Sequence, residues 1–229
     1  MMKYLAAALF AIAAIASTGI AQTDEYPDNW CRTGLFPKET DNFRVGTAKG
    51  ERNSRIYFYN DFAADDCPDN EKCRKKAYIV PGDQVVISKS RGDFGCAWFA
   101  PAKGLPTVGW VRMESFAILE GPFDIPDGEW IGEWKNGENT ISFTHNKLDG
   151  WLNVTGDAYW KGVGDNIHIG ELDNRAEPRN GVLEYSDGDD EYDCKATMRL
   201  IGDFLIVADN MHCGGANVSF SGVYIRTKK

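Results

Sequence analysis

The chain has 229 residues, 25 basic against 34 acidic side chains, 12% aromatic and 43% hydrophobic content. That balance excludes a disordered tail, a collagen-like repeat and a polytopic membrane protein. A formal charge of −9 offers no footprint for nucleic acid, because a phosphate backbone selects clustered Lys and Arg. With 24 Gly, 7 Trp, 9 Tyr and 12 Phe, the composition favours short strands joined by tight turns over helical bundles.

The first residues carry an export signal. Lys3 supplies a positive flank, Leu5 to Ala16 is an apolar run of 12 residues, and Gly19-Ile20-Ala21 ends in the small residues a signal peptidase needs. Residues 1–21 are therefore read as a signal peptide, which places the mature chain in the periplasm or the secreted space. The run is too short to cross about 30 Å of hydrocarbon, and no later stretch offers the ~20 apolar residues of a membrane span.

Six cysteines follow: Cys31, Cys67, Cys73, Cys96, Cys194 and Cys213. An even count in an exported chain favours disulfides over thiols or metal. Cys67 and Cys73 close a short acidic loop, Cys194 and Cys213 lie alone in the last third, and Cys31 is left with Cys96. Zinc would need Cys-x-x-Cys or Cys/His clusters, and the sequence contains none.

Two prolines and two glycines between Glu120 and Gly128 interrupt the strand pattern and mark a domain boundary. Residues 22–125 carry 14 basic and 16 acidic groups, while residues 126–229 carry 10 and 18, a net charge of −8. Each half is long enough for one small core.

In the first half, Ile56 to Tyr59, Ala77 to Val80, Gln84 to Ser88, Phe94 to Phe99 and Thr107 to Val111 read as strands. Pro81-Gly82-Asp83 and Arg91-Gly92-Asp93 read as turns. Five short strands with brief connections suggest a small barrel. Three segments, Pro81-Gly82-Asp83-Gln84-Val85-Val86-Ile87, Gly92-Asp93-Phe94 and Val108-Gly109-Trp110-Val111, resemble the bacterial Src-homology-3-like domain family over roughly residues 43–119. That resemblance implies a barrel that binds cell-wall peptides or other extended chains, with Tyr57, Tyr59, Trp98 and Trp110 as candidate groove aromatics. The plainer reading is that most of these rings are core, since alternation buries every second residue of a strand. The chain departs from the family at its front, where Asn60 to Lys76 forms an acidic segment ending in Arg74-Lys75-Lys76, a second candidate for gripping an anionic wall polymer.

The second half reads as eight strands: Trp130 to Trp134, Thr140 to Thr144, Gly150 to Val154, Ile167 to Gly170, Val182 to Ser186, Tyr192 to Leu200, Phe204 to Ala208 and Val218 to Arg226. Tyr192, Cys194, Ala196, Met198 and Leu200 alternate onto one face. So many strands in about 100 residues need near-closure to avoid exposed edges, which predicts an antiparallel barrel resembling a shortened lipocalin. It is similar to the uncharacterised β-domains that follow Src-homology-3-like modules in exported proteins. The expected fold is thus all-β and disulfide-stabilised, one small barrel followed by another.

Chemistry is sparse. His145, His168 and His212 sit in no hydrolase or zinc-protease motif, the cysteines are paired, and no spacing selects a catalytic pair among the carboxylates. The chain is read as non-catalytic and without cofactor. Asp187, Asp189, Glu191 and Asp193 alternate in a way that could ligate calcium, or simply form a solvated hairpin tip. The expected function is a binding protein for cell-wall peptide or an envelope protein partner. The alternative is an inhibitor of a basic cell-wall hydrolase of lysozyme type. That alternative rests on the acidity of the second half and on Ser221-Gly222-Val223-Tyr224, which is similar to the Ser-Gly-x-Tyr motif of a periplasmic lysozyme-inhibitor family.

Overall fold

The computed structural model describes residues 30–31, 42–119 and 125–228, so the segment read as a signal peptide and most of the Pro/Gly boundary lie outside the described residues. These residues form two antiparallel sheets with no α-helix among them. The first sheet contains β1 (Arg44–Ala48), β2 (Ile56–Tyr59), β3 (Arg74–Ile79), β4 (Gln84–Arg91), β5 (Phe94–Phe99), β6 (Thr107–Arg112) and β7 (Phe116–Leu119), in the order β3-β2-β6-β5-β4-β1-β7. The second contains β8 (Gly132–Asn136), β9 (Asn139–His145), β10 (Leu152–Lys161), β11 (Ile167–Ala176), β12 (Pro178–Arg179), β13 (Val182–Ser186), β14 (Lys195–Ile201), β15 (Phe204–Asp209) and β16 (Gly222–Lys228). Its order is β11-β10-β9-β8-β16-β15-β14-β13-β12.

Local signals placed most strands. β2, β5 and β13 run between the residues expected, and the turns between β4 and β5 and between β14 and β15 are two-residue connections opened by Gly92 (φ 54°) and Gly202 (φ 58°). A side chain at either position would be strained in that left-handed conformation. The sequence reading missed β1 and β7, which pair with each other across the whole first half. β1 has glycine at its centre because a Cβ on Gly46 would lie 3.0 Å from the Phe116 ring, and that close packing hides the strand from a pattern search. Tyr192 is exposed in the turn before β14, so the buried face starts at Cys194 and continues through Ala196, Met198 and Leu200.

The nine-stranded sheet curls into a nearly closed barrel. Where β11 approaches β13, the Asp173 backbone amide donates to the Tyr185 hydroxyl at 3.0 Å and the Asn174 side-chain Nδ2 to the Ser186 carbonyl at 2.7 Å. The edge of β11 is also capped, since the Gly215 amide donates to the Ile169 carbonyl at 3.1 Å. Gly170 permits this approach: a Cβ there would sit 2.2 Å from the Cys213 carbonyl. Cys194–Cys213 holds the capping loop to the start of β14, while Cys31–Cys96 and Cys67–Cys73 brace the first sheet, the three pairs read from the spacing.

Burial divides into three apolar clusters. One fills the barrel around Trp134, Phe143, Leu205 and Tyr224. Another lies on one face of the first sheet, around Phe58, Val85, Ile87 and Val111. The third contains residues of both halves: Val45, Val86, Trp98 and Trp110 from the first, Ile201, Phe204, Ile206 and Val223 from the second. β15 therefore buries both its faces, Leu205 and Val207 into the barrel, Phe204 and Ile206 into the shared layer. Trp98 meets Phe204 edge-on with ring centroids 6.2 Å apart.

Phe204→Ala is expected to cost about 3 to 5 kcal/mol in denaturant unfolding. A double-mutant cycle with Trp98→Ala should return a coupling of about 0.5 to 1.5 kcal/mol, and zero coupling would remove the shared layer as a stabilising contact. Replacing Cys194 and Cys213 by alanine opens a connection of 19 residues and should lower stability by roughly 3 kcal/mol in the same assay.

Candidate functional site

Of the four aromatic residues proposed from sequence, three are buried. Trp98 faces Phe204, and Trp110 donates its indole N–H to Asp61 Oδ1 at 2.6 Å. The same carboxylate oxygen accepts the Cys31 amide at 2.8 Å, tying the first disulfide to β6. Tyr59 packs edge-on to Phe94 at 5.3 Å and donates its hydroxyl to Glu71 Oε1 at 3.3 Å. The aromatic face that would line a groove in an isolated small barrel is covered here by the second sheet and the disulfide-closed loop. Tyr57 alone of the four reaches solvent.

Tyr57 belongs to a different surface. It is the cross-strand partner of Tyr78 on β3, and the two rings meet edge-on at 6.0 Å. Arg55 lies 4.4 Å over Tyr78 and Arg74 lies 4.9 Å over Tyr57, so the pair of rings at the β2–β3 edge is flanked by a cation on each side. Strand alternation then sorts the basic run: Arg74, Lys76 and Tyr78 point to solvent, whereas Lys75 turns inward and donates to the Val108 carbonyl at 3.0 Å. β3 ends the sheet and pairs only with β2 among the described residues. The sequence reading missed Arg55 and Tyr78; the two-residue period through Arg74, Lys76 and Tyr78 was the available signal.

In the second half, the Ser221 to Tyr224 motif is engaged internally. Ser221 donates its hydroxyl to Asp209 Oδ1 at 2.7 Å, Gly222 and Val223 enter β16, and buried Tyr224 donates to the Phe220 carbonyl at 2.7 Å. The acidic loop is likewise self-bonded: Asp187 accepts the Tyr185 hydroxyl and Asp193 accepts the Asp190 amide at 2.7 Å. Among the described residues no group of three or more His, Cys, Asp or Glu side chains is placed to hold a metal ion. Two imidazoles bond to backbone, His168 to the Ala216 carbonyl and His212 to that of Glu191.

A cleft of about 410 Å³ opens where the barrel is incompletely closed, lined by Trp151, Arg175, Glu177, Arg179, Glu184 and Ser186. Arg175 stacks over Trp151 at 5.4 Å, Arg179 is paired with Glu177 at 2.7 Å, and Glu184 accepts the Thr197 hydroxyl at 2.7 Å. With both carboxylates engaged, the cleft offers hydrogen bonds and an aromatic wall for binding. Comparison with models of known families, with curated proteins and with solved structures finds no match for the chain.

Burial raises the Tyr185 phenol, reinforced by its hydrogen bond to Asp187, and burial likewise raises Tyr224. A raised folded pKa contributes stability that is complete below the unfolded value, near 10, and is lost at more alkaline pH as the unfolded chain ionises freely. Phenolate absorbance should show these two rings ionising only together with alkaline unfolding. Complete reversible titration of every tyrosine near pH 10 with the fold intact would contradict this.

Proposed function

We propose that the protein is an exported, non-catalytic binding protein whose ligand is an extended chain bearing anionic groups, such as a cell-wall peptide or a segment of an envelope protein. The observation that carries this reading is the exposed Arg55–Tyr78–Tyr57–Arg74 ladder beside the terminal strand β3. A terminal strand offers main-chain hydrogen bonds to an extended ligand, flat rings supply contact area at low entropic cost, and guanidinium forks suit carboxylates. We assign the first sheet to the Src-homology-3-like barrels, supported by the Pro81–Asp83 and Gly92–Asp93 turns and by Gly109-Trp110-Val111 in β6, with the ligand surface moved from the covered aromatic face to the β3 edge. The two units are taken as residues 22–125 and 126–229.

Export to the periplasm or the secreted space is supported by the apolar leader and by three disulfides, which fit an oxidising compartment. No helix among the described residues is long and apolar enough to cross a membrane. Hydrolase inhibition through Ser221 and Tyr224 is the weaker reading, because both hydroxyls are engaged inside the protein.

The test is sedimentation of the mature chain with purified peptidoglycan. Wild type is expected in the pellet, with Tyr78→Ala and Arg74→Ala each weakening retention by about 1 to 3 kcal/mol while thermal melts stay unchanged. Absence of wall retention, or variants that sediment like wild type, would refute the assignment.

A further inference from the structure

The outward face of β10 and β11 combines two unfavourable features, each of which a partner would relieve. These strands form a ladder of ten paired residues, with Tyr159 opposite Ile169, Asp157 opposite Glu171 and Thr155 opposite Asp173. Ile169 is 66% exposed, neighbouring Ile167 54% and Tyr159 44%, a contiguous apolar patch at one end of the ladder. Immediately beside it, Asp157 and Glu171 place like charges directly across the strands, an arrangement that destabilises a sheet. Among the described residues neither these carboxylates nor Asp173 forms an ion pair.

The backbone edge is not what this surface offers. The Ile169 carbonyl already accepts from Gly215 and the Asp173 amide already donates to Tyr185, so strand addition is blocked and contact must be made face-on. A second copy would set carboxylates against carboxylates. A basic surface with its own apolar side chains would cover Tyr159 and Ile169 while neutralising Asp157 and Glu171. The net charge of −8 on residues 126–229 would also steer such a partner toward this half.

We propose that the outward face of β10–β11 is a docking surface for a basic partner protein. It is independent of the β3 ladder, which lies on the other sheet. Calorimetric titration of the mature chain with three small basic proteins, lysozyme, cytochrome c and ribonuclease A, at low and high salt is the direct test. At least one is expected to bind, with affinity falling as salt screens the charges. The Asp157→Asn/Glu171→Gln double variant and, separately, Ile169→Thr should each weaken that complex about tenfold or more. Ile169→Thr keeps a β-branched side chain on an exposed strand and the amide pair removes a repulsion, so both variants should melt no lower than wild type. Tyr78→Ala, on the other sheet, should bind as wild type does. Failure of all three basic proteins to bind, undiminished binding by the face variants, or self-association in sedimentation that Ile169→Thr abolishes would overturn the proposal.

Discussion

The apolar layer between the two sheets is the contact on which the arrangement depends. Phe204 and Ile206 leave the barrel on the face opposite Leu205 and Val207, and they share a cluster with Trp98 and Val86 of the first sheet. Fully burying a side chain of this size contributes about 1.5 to 3 kcal/mol, so several such residues outweigh any exposed ion pair in the molecule. The layer also decides which aromatic residues reach solvent. By covering Trp98 and Trp110 it removes the broad aromatic face of the first sheet from solvent, while the rings of Tyr57 and Tyr78 at the β2–β3 edge stay accessible.

Covalent and polar ties hold the margins of this layer. Asp61 accepts from both Trp110 and Cys31, so one carboxylate orients a buried indole and anchors the segment that carries the first disulfide. In the barrel, Arg226 plays a related part. Its guanidinium stacks 4.3 Å over Trp134 and donates to the Ile131 carbonyl at 2.7 Å, fastening the last strand to the chain entering the first strand of that sheet. A buried N–H or cation left without such partners would cost more than the bond itself returns, which is why these few polar groups are placed where the packing is densest.

The surfaces that remain exposed differ in chemistry between the two halves. The β3 edge presents Arg55, Arg74 and Lys76 around two tyrosines, whereas the β10–β11 face presents Asp157, Glu171 and Asp173 beside isoleucines. The two proposed interactions, an anionic chain on one half and a basic partner on the other, follow this opposition of charge. Each interaction would respond to salt, since both are formed by charges in contact with solvent.

Much of the fold was legible in local sequence. Strand alternation, the hairpin turns at Gly92 and Gly202 and the two shorter disulfide loops are properties of residues near one another in sequence, so they can be read without a third dimension, and Cys31–Cys96 follows by elimination. Pairing between distant segments was not legible: β1 and β7 carry weak patterns of their own and acquire their place by long-range pairing, β1 with both β4 and β7 and β7 with β1. The fate of the aromatic residues was decided in the same way. Alternation assigns Trp98 and Trp110 to one face of a strand, but whether that face meets water or another sheet depends on the outer face of β15, far along the chain. The continuous run Phe204-Leu205-Ile206-Val207 carried a trace of that outcome, because a strand apolar on both faces must be covered twice. Tertiary structure chose the cover, and by pairing Tyr57 with Tyr78 it assembled a cation–aromatic surface from two strands, of which only the alternation of Arg74, Lys76 and Tyr78 shows in the sequence.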